Sequence, residues 1–262
     1  MGTINIELER TTVQEGEKNY VYYVYSSDAL EKFNPIILGL GNIGQKSRRI
    51  DVIAGVFDLG GFTNFCIQVD PHLSLPKFLK EFLDWLFQNI KSEFEEKRFG
   101  EKVLLYTDLP FFAKFMGDGV LFLWNTANMD MRKVCNVLII AENICHNYSK
   151  VFVPKAKKYL TNVPKSLRCG LACGQVCSVG NGEDYVGACI NIASRLQKLS
   201  KVAICCSQRG IDVEEGMPKK TAETYLTKNV SIRGVGSDER VIIGKWDFEK
   251  LSKKEKTIFK DV

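Results

Sequence analysis

Val52-Ile53-Ala54-Gly55-Val56-Phe57-Asp58-Leu59-Gly60-Gly61-Phe62-Thr63 decides the reading of this chain. The apolar run Val52–Phe57 reads as a buried strand and delivers one carboxylate, Asp58, to its end. Two glycines follow at once, and the chain then turns into polar, helical sequence. Further on, Lys114-Phe115-Met116-Gly117-Asp118-Gly119 presents a second carboxylate at the turn of a hairpin, with strand-like Val120-Leu121-Phe122-Leu123-Trp124 behind it. Asn191 and Arg195 then fall on one face of a predicted helix. Two carboxylates can hold hard divalent cations against phosphate oxygens, with the Leu59 carbonyl as a third oxygen ligand. A glycine turn lets the N–H groups of Gly61, Phe62 and Thr63 approach phosphates, and an arginine can stabilise transferring charge. Together these parts point to chemistry on a nucleoside triphosphate, with Mg²⁺ or Mn²⁺ suited to oxygen-only ligands.

Composition narrows the alternatives. A chain of 262 residues can bury a real core as one large domain, or as one domain with an extension. Its net charge of +5 is mild and scattered, which weakly favours anionic ligands and gives no nucleic-acid footprint. Nine cysteines show no disulfide framework, and no signal peptide or apolar run of ~20 residues is read. They are expected as small buried hydrophobes in a reducing cytoplasm. Cys169, Cys173 and Cys177 lack the paired spacing and fourth ligand of a zinc site.

Along the chain, Tyr20–Tyr25 reads as a strand followed by a turn at 26–28. Gly39-Leu40-Gly41-Asn42-Ile43-Gly44 matches a dinucleotide-binding fingerprint. Only Gln45–Asp51 separates it from the next strand, too little for the helix that the fingerprint requires. A glycine-rich connection is the better reading. A helix is expected from about Pro76, with Leu79, Phe82, Leu83, Leu86, Ile90 and Phe94 on one face, and another from Met131 to Tyr148. The spacing also predicts strands at 167–176 and 201–206, a helix at 187–199 and a closing hairpin at 230–246. A hairpin interrupts the alternation of strands and helices, so the expected fold is α+β: a mixed, mainly antiparallel sheet flanked by helices. Residues 1–50 read as an N-terminal extension without an assigned role, 51–248 as a catalytic domain, and 249–262 as a basic C-terminal tail.

Four blocks in order resemble the class III nucleotide cyclase catalytic domain, the adenylate and guanylate cyclase family. They are Asp58-Leu59-x-Gly61-Phe62-Thr63; Lys114-x-x-Gly117-Asp118; Arg168-x-Gly170-Leu171-x-x-Gly174; and Asp184-x-x-Gly187-x-x-Ile190-Asn191-Ile192-Ala193-x-Arg195-Leu196. The resemblance spans residues 52 to about 246 and implies a ferredoxin-like core in a head-to-tail homodimer whose sites are shared between subunits. It implies two divalent metal ions, Mn²⁺ or Mg²⁺, on Asp58, Asp118 and the Leu59 carbonyl. It further implies Asn191 orienting the ribose, Arg195 stabilising the pentavalent phosphorus, and Arg168 and Arg233 binding pyrophosphate.

Lys114 and Asp184 coincide with the pair that reads adenine in adenylate cyclases, and taken alone they favour ATP. The small, free-standing build is similar to the pyrimidine cyclases of bacterial anti-phage (Pycsar-type) signalling. These make cyclic UMP or cyclic CMP for a separate cyclic-nucleotide effector. Phe57, Phe115 and Met116 are bulky enough to fill purine space there, and the pyrimidine reading is preferred by a narrow margin. Two other classes compete. One is a catalytically silent nucleotide-binding regulator, although such proteins lose a metal aspartate or the helix arginine and this chain keeps both. The other is a phosphodiesterase or nuclease, which wants more ligands than His72 and His146 supply.

Overall fold

The computed structural model describes residues 8–25, 27, 31–68, 70–199 and 201–262. The chain divides into two units, one of 1–49 with 177–186 and one of 50–176 with 187–262. The turn expected at Ser26 and Asp28 falls on residues outside the described set.

In the smaller unit, β1 (Leu8–Glu15) and β2 (Lys18–Tyr25) form an antiparallel ribbon that turns at Gly16, φ 65°. A single 3₁₀ turn, Pro35–Leu38, precedes the glycine-rich connection, where Gly39 and Gly41 both adopt φ 66°. No helix follows Gly44, so the dinucleotide fingerprint lacks its required context. Ser178 fixes this connection through its backbone and its hydroxyl. It donates its N–H to the Arg48 carbonyl at 2.9 Å, and its Oγ accepts the Arg48 N–H at 2.9 Å.

The larger unit is built on the sheet. Its elements in chain order are β3 (Arg49–Gly60), α1 (Phe62–Cys66), α2 (Pro71–Phe94), β4 (Glu95–Phe99), β5 (Lys102–Leu105), β6 (Phe112–Phe115), β7 (Gly119–Asn125), α3 (Met131–Asn147) and α4 (Val153–Ala156). They continue through β8 (Ser166–Val179), whose last residues pair with β9 (Asp184–Val186) in the smaller unit, and then α5 (Ala188–Leu196) and β10 (Ile204–Ser207). The chain closes with α6 (Val213–Gly216), α7 (Lys219–Ala222), β11 (Tyr225–Ile232), β12 (Gly236–Gly244), α8 (Lys245–Lys250) and α9 (Lys253–Lys256). Strands lie in the order β11-β12-β10-β8-β3-β7-β6. β10 and β8 run parallel; β11/β12, β10/β12, β3/β7 and β6/β7 are antiparallel. The mixed, mainly antiparallel sheet flanked by helices is the architecture expected.

Every residue from Val52 to Leu59 is buried, which is why this strand reads as continuously apolar instead of alternating. Helix α2 lays Phe78, Phe82, Leu86, Ile90 and Phe94 into the core at successive i+4 positions. It begins at Pro71 and not near Pro76: Pro71 is favourable in the first turn, and Pro76 is carried inside at the loss of one i→i−4 hydrogen bond. Helix α3, N-capped by Asp130, buries Val134, Leu138, Ala141 and Cys145 as the spacing predicted. It continues into a π turn, Tyr148–Phe152, whose two aromatic rings pack against Phe82. Helix α5 is shorter than the 187–199 expected. All nine cysteines are unpaired, and burial pushes the thiols of Cys145, Cys169 and Cys206 well up, as suits small apolar residues. The C-terminal residues fold back on the sheet: Lys260 and Asn229 exchange backbone hydrogen bonds at 2.8 Å, and Phe259 is buried.

Gly170 lets α5 approach β8 closely, because a Cβ there would collide with the Ala193 carbonyl. Gly170→Ala is expected to lower stability by about 1–3 kcal/mol, read as a fall in urea midpoint at unchanged slope. An unchanged midpoint would contradict this packing.

Candidate active site

Two neighbouring strands bring the aspartates together. Asp58 pairs in register with Gly119, and the Leu59 N–H donates to the Asp118 carbonyl at 3.0 Å. The turn between β6 and β7 needs Gly117 at φ 95°, and Gly119 cannot carry a side chain because a Cβ would strike the Phe57 carbonyl. Glycines on both sides of Asp118 therefore serve the backbone. Asp58 is buried, 6% exposed, whereas Asp118 is half-buried.

Burial is the main force on Asp58 and raises its carboxyl above the ordinary range. The Asp118 charge pushes the same way, and Arg168 and Lys198 oppose both. Arg168, on β8, donates from a terminal guanidinium nitrogen to Asp58 Oδ2 at 2.7 Å. Its Nε is buried without a hydrogen-bond partner among the described residues. The candidate phosphate residue and the candidate metal ligand are thus ion-paired, which the sequence did not indicate.

After β3 the chain turns at Gly61, φ 89°, into the five-residue α1. Thr63 is exposed; Phe62 is half-buried against Phe65 and Phe78 at ring distances of 6.1 and 6.3 Å. Gly60 packs where a Cβ would collide with the Ser166 hydroxyl.

Asn191 and Arg195 are exposed on α5, while Ile192, Ala193 and Leu196 of the same helix are buried. Neither polar side chain has a hydrogen bond or ion pair among the described residues. Arg195 and Arg233 line one open cleft of about 630 Å³ with Lys198, Leu199, Ser231 and Ile232. Gly234 takes φ 74° beside the Arg195 guanidinium. Lys198 is the residue the sequence reading missed: it shares this basic cleft and also acts on Asp58. Its i+3 spacing from Arg195 on a helix was the available signal.

Lys114 is half-buried on β6, opposite Leu121. Asp184 begins β9 in the smaller unit, where its carboxylate accepts the Tyr185 N–H at 2.9 Å. Lys114 thus belongs to the larger unit and Asp184 to the smaller. Phe57 does not line a base site. It is 1% exposed and packs edge-on against Phe122 at 5.8 Å, because its side chain points to the face of β3 that the helices cover. Phe115 and Met116 are exposed at the hairpin.

Arg168→Met keeps bulk but removes the interactions that oppose burial, so the Asp58 carboxyl should titrate at higher pH than in the wild type. A folded pKa above the unfolded one contributes stability at low pH that is lost as pH rises through the folded value. The stability deficit of Arg168→Met should accordingly be small in acid and larger toward neutrality. Carboxyl ¹³C shifts and urea melts across pH check both; a downward shift would contradict the electrostatic assignment.

The sequence matches no protein-family model and no curated protein. Among solved structures, the adenylyl cyclase CyaB from P. aeruginosa superposes with a TM-score of 0.56 at 14% identity, over 76% of this chain and 96% of that one. The guanylyl cyclase Cya2 gives 0.54 at 18% identity, over 76% and 93%. A bacterial light-regulated adenylyl cyclase gives 0.53 at 14%, over 84% of this chain and 61% of that one. This chain shares its fold with solved adenylyl and guanylyl cyclases.

Proposed function

We infer that the chain is a class III nucleotide cyclase converting a nucleoside triphosphate into a 3′,5′-cyclic nucleotide and pyrophosphate. The observation that carries this reading is the pinned pair Asp58 and Asp118, together with Asn191 and Arg195, exposed and without a side-chain partner among the described residues. In the reaction the ribose 3′-hydroxyl gives up its proton to solvent water, its oxygen bonds to the α-phosphorus, and the bond from that phosphorus to the bridging oxygen breaks. Pyrophosphate leaves with the electron pair.

A buried carboxylate beside a second carboxylate, with an ion pair offsetting only part of that cost, fits a cation-binding role. Asp58, Asp118 and the Leu59 carbonyl would hold two divalent ions, Mn²⁺ or Mg²⁺. Bound there, such ions lower the pKa of the attacking hydroxyl and neutralise charge on attacking and leaving oxygens. The backbone at Gly61, Phe62 and Thr63 approaches the phosphates. Arg168, hydrogen-bonded to Asp58, binds the pyrophosphate together with Arg233. Asn191 orients the ribose, and Arg195 stabilises charge on the pentavalent phosphorus. A head-to-tail homodimer, with the aspartates of one subunit facing Asn191 and Arg195 of the other, makes two such sites from one patch pairing.

For the base, we read a pyrimidine, giving cyclic UMP or cyclic CMP as a messenger for a separate effector in bacterial anti-phage defence. Phe115 and Met116, exposed next to Lys114, are the bulky side chains that would exclude a purine in this reading. Phe57 takes no part in it, because that ring belongs to the core. A specific observation favours the second reading, ATP to cyclic AMP: the residue types at Lys114 and Asp184. The catalytic core of a rhodopsin-guanylyl cyclase with converted specificity, solved in complex with ATPαS, has a similar fold (TM-score 0.50, 17% identity).

Asp58→Asn or Asp118→Asn should abolish turnover and leave a folded protein, since each removes one carboxylate from the cation site. Near wild-type rates at saturating Mn²⁺ in either variant would refute the assignment. Inactive Asp58→Asn and Arg195→Ala proteins, mixed and re-equilibrated, should recover up to about a quarter of wild-type activity, because half the dimers are then mixed and each has one intact site. No recovery with subunit exchange confirmed would refute the shared site. UTP or CTP should exceed ATP at least ~10-fold in kcat/KM, about 1.4 kcal/mol of transition-state discrimination. ATP turning over fastest would select the adenylate reading.

A further inference from the structure

Within the larger unit, Glu142 and His146 lie one helical turn apart near the end of α3, and Asp247 lies on α8. One donor atom from each falls within 4.8 Å of the others, and all three side chains are half-buried. His146 Nε2 stands 3.3 Å from both carboxylate oxygens of Asp247. Around an ion held at about 2.1 Å, tetrahedral ligand atoms are separated by about 3.4 Å, so a small closing movement of Glu142 would complete a three-ligand set.

Neighbouring groups orient both carboxylates. The Tyr225 hydroxyl donates to Glu142 Oε2 at 2.6 Å, and the Ala203 N–H donates to Asp247 Oδ2 at 2.9 Å. Gly244 leaves room for the other Glu142 oxygen, since a Cβ there would collide with Oε1. Outer hydrogen bonds of this kind fix ligand geometry in metal sites. Charge points the same way. Burial pushes the Glu142 carboxyl up, the Tyr225 hydrogen bond and His146 oppose this, and the Asp247 charge adds to the rise. Two partly desolvated carboxylates therefore share one imidazole. None of these residues belongs to the four blocks at the proposed catalytic site.

We propose that Glu142, His146 and Asp247 form a second metal site that takes one borderline divalent transition ion such as Zn²⁺, joining helix α8 to α3. The imidazole selects against Mg²⁺ and Ca²⁺, which take oxygen ligands, and the carboxylates select against soft Cu(I). Water completes the coordination.

The test is a Co²⁺ titration of the metal-free full chain with excess Mg²⁺ present to occupy oxygen-only sites. About one equivalent should bind, with the visible absorption of a four-coordinate N/O site and no thiolate charge-transfer band in the near ultraviolet. His146→Gln and Glu142→Gln should each weaken Co²⁺ binding at least ~10-fold, while Asp118→Asn should not. Circular dichroism establishes that each variant is folded, and Zn²⁺ should raise the wild-type Tm while leaving that of both ligand variants unchanged. Absent binding, affinity unchanged in both ligand variants, or a thiolate signature would overturn the proposal.

Discussion

The antiparallel register of β3 against β7 is the constraint on which the candidate site depends. Asp58 opposite Gly119, closed by the hydrogen bond from the Leu59 N–H to the Asp118 carbonyl, fixes where two carboxylates emerge. A slip of one residue would turn Asp58 to the other face of the sheet and bring an apolar side chain to the site. The slip is prevented locally: Gly119 lies against the Phe57 carbonyl where no side chain fits, and the central strands are buried on both faces. Packing of Phe57, Phe122 and the helix aromatics thus sets the position of the two candidate carboxylates.

That register also creates the main electrostatic tension of the molecule. Placing Asp58 at the buried end of a central strand removes it from water, and Asp118 adds a second negative charge. Arg168 compensates incompletely, leaving its own Nε without a partner among the described residues. Breaking such a pair by removing one member typically costs about 3–5 kcal/mol, whereas the intact pair contributes little net stability. A cation at the carboxylates would relieve the repulsion and release the guanidinium for an anionic substrate.

Much of this was legible in the sequence because the signals are local. The apolar run ending in Asp58, the glycine-flanked Asp118 and the amphipathic α3 follow from periodicity and turn chemistry, and they became strands, a hairpin and a helix as expected. Helix α2 was placed too short because Pro76 was taken as a start signal, when Pro71 five residues earlier serves that role. Features that depend on distant strands were hidden. The Arg168–Asp58 pair joins residues 110 positions apart, and Asp247 reaches His146 from 101 positions away without any motif. Phe57 was misassigned for a related reason. The sequence shows an aromatic beside Asp58, and only the pleat shows which face it occupies.

The most direct measurement offers the purified chain all four ribonucleoside triphosphates with Mn²⁺ and resolves the products by mass spectrometry and ³¹P NMR. A 3′,5′-cyclic mononucleotide and pyrophosphate in equal amounts, from at least one triphosphate, is the predicted result. Nucleotide binding without turnover would instead mark a silent regulator. Release of inorganic phosphate or a linear monophosphate would contradict cyclisation as the chemistry of this site.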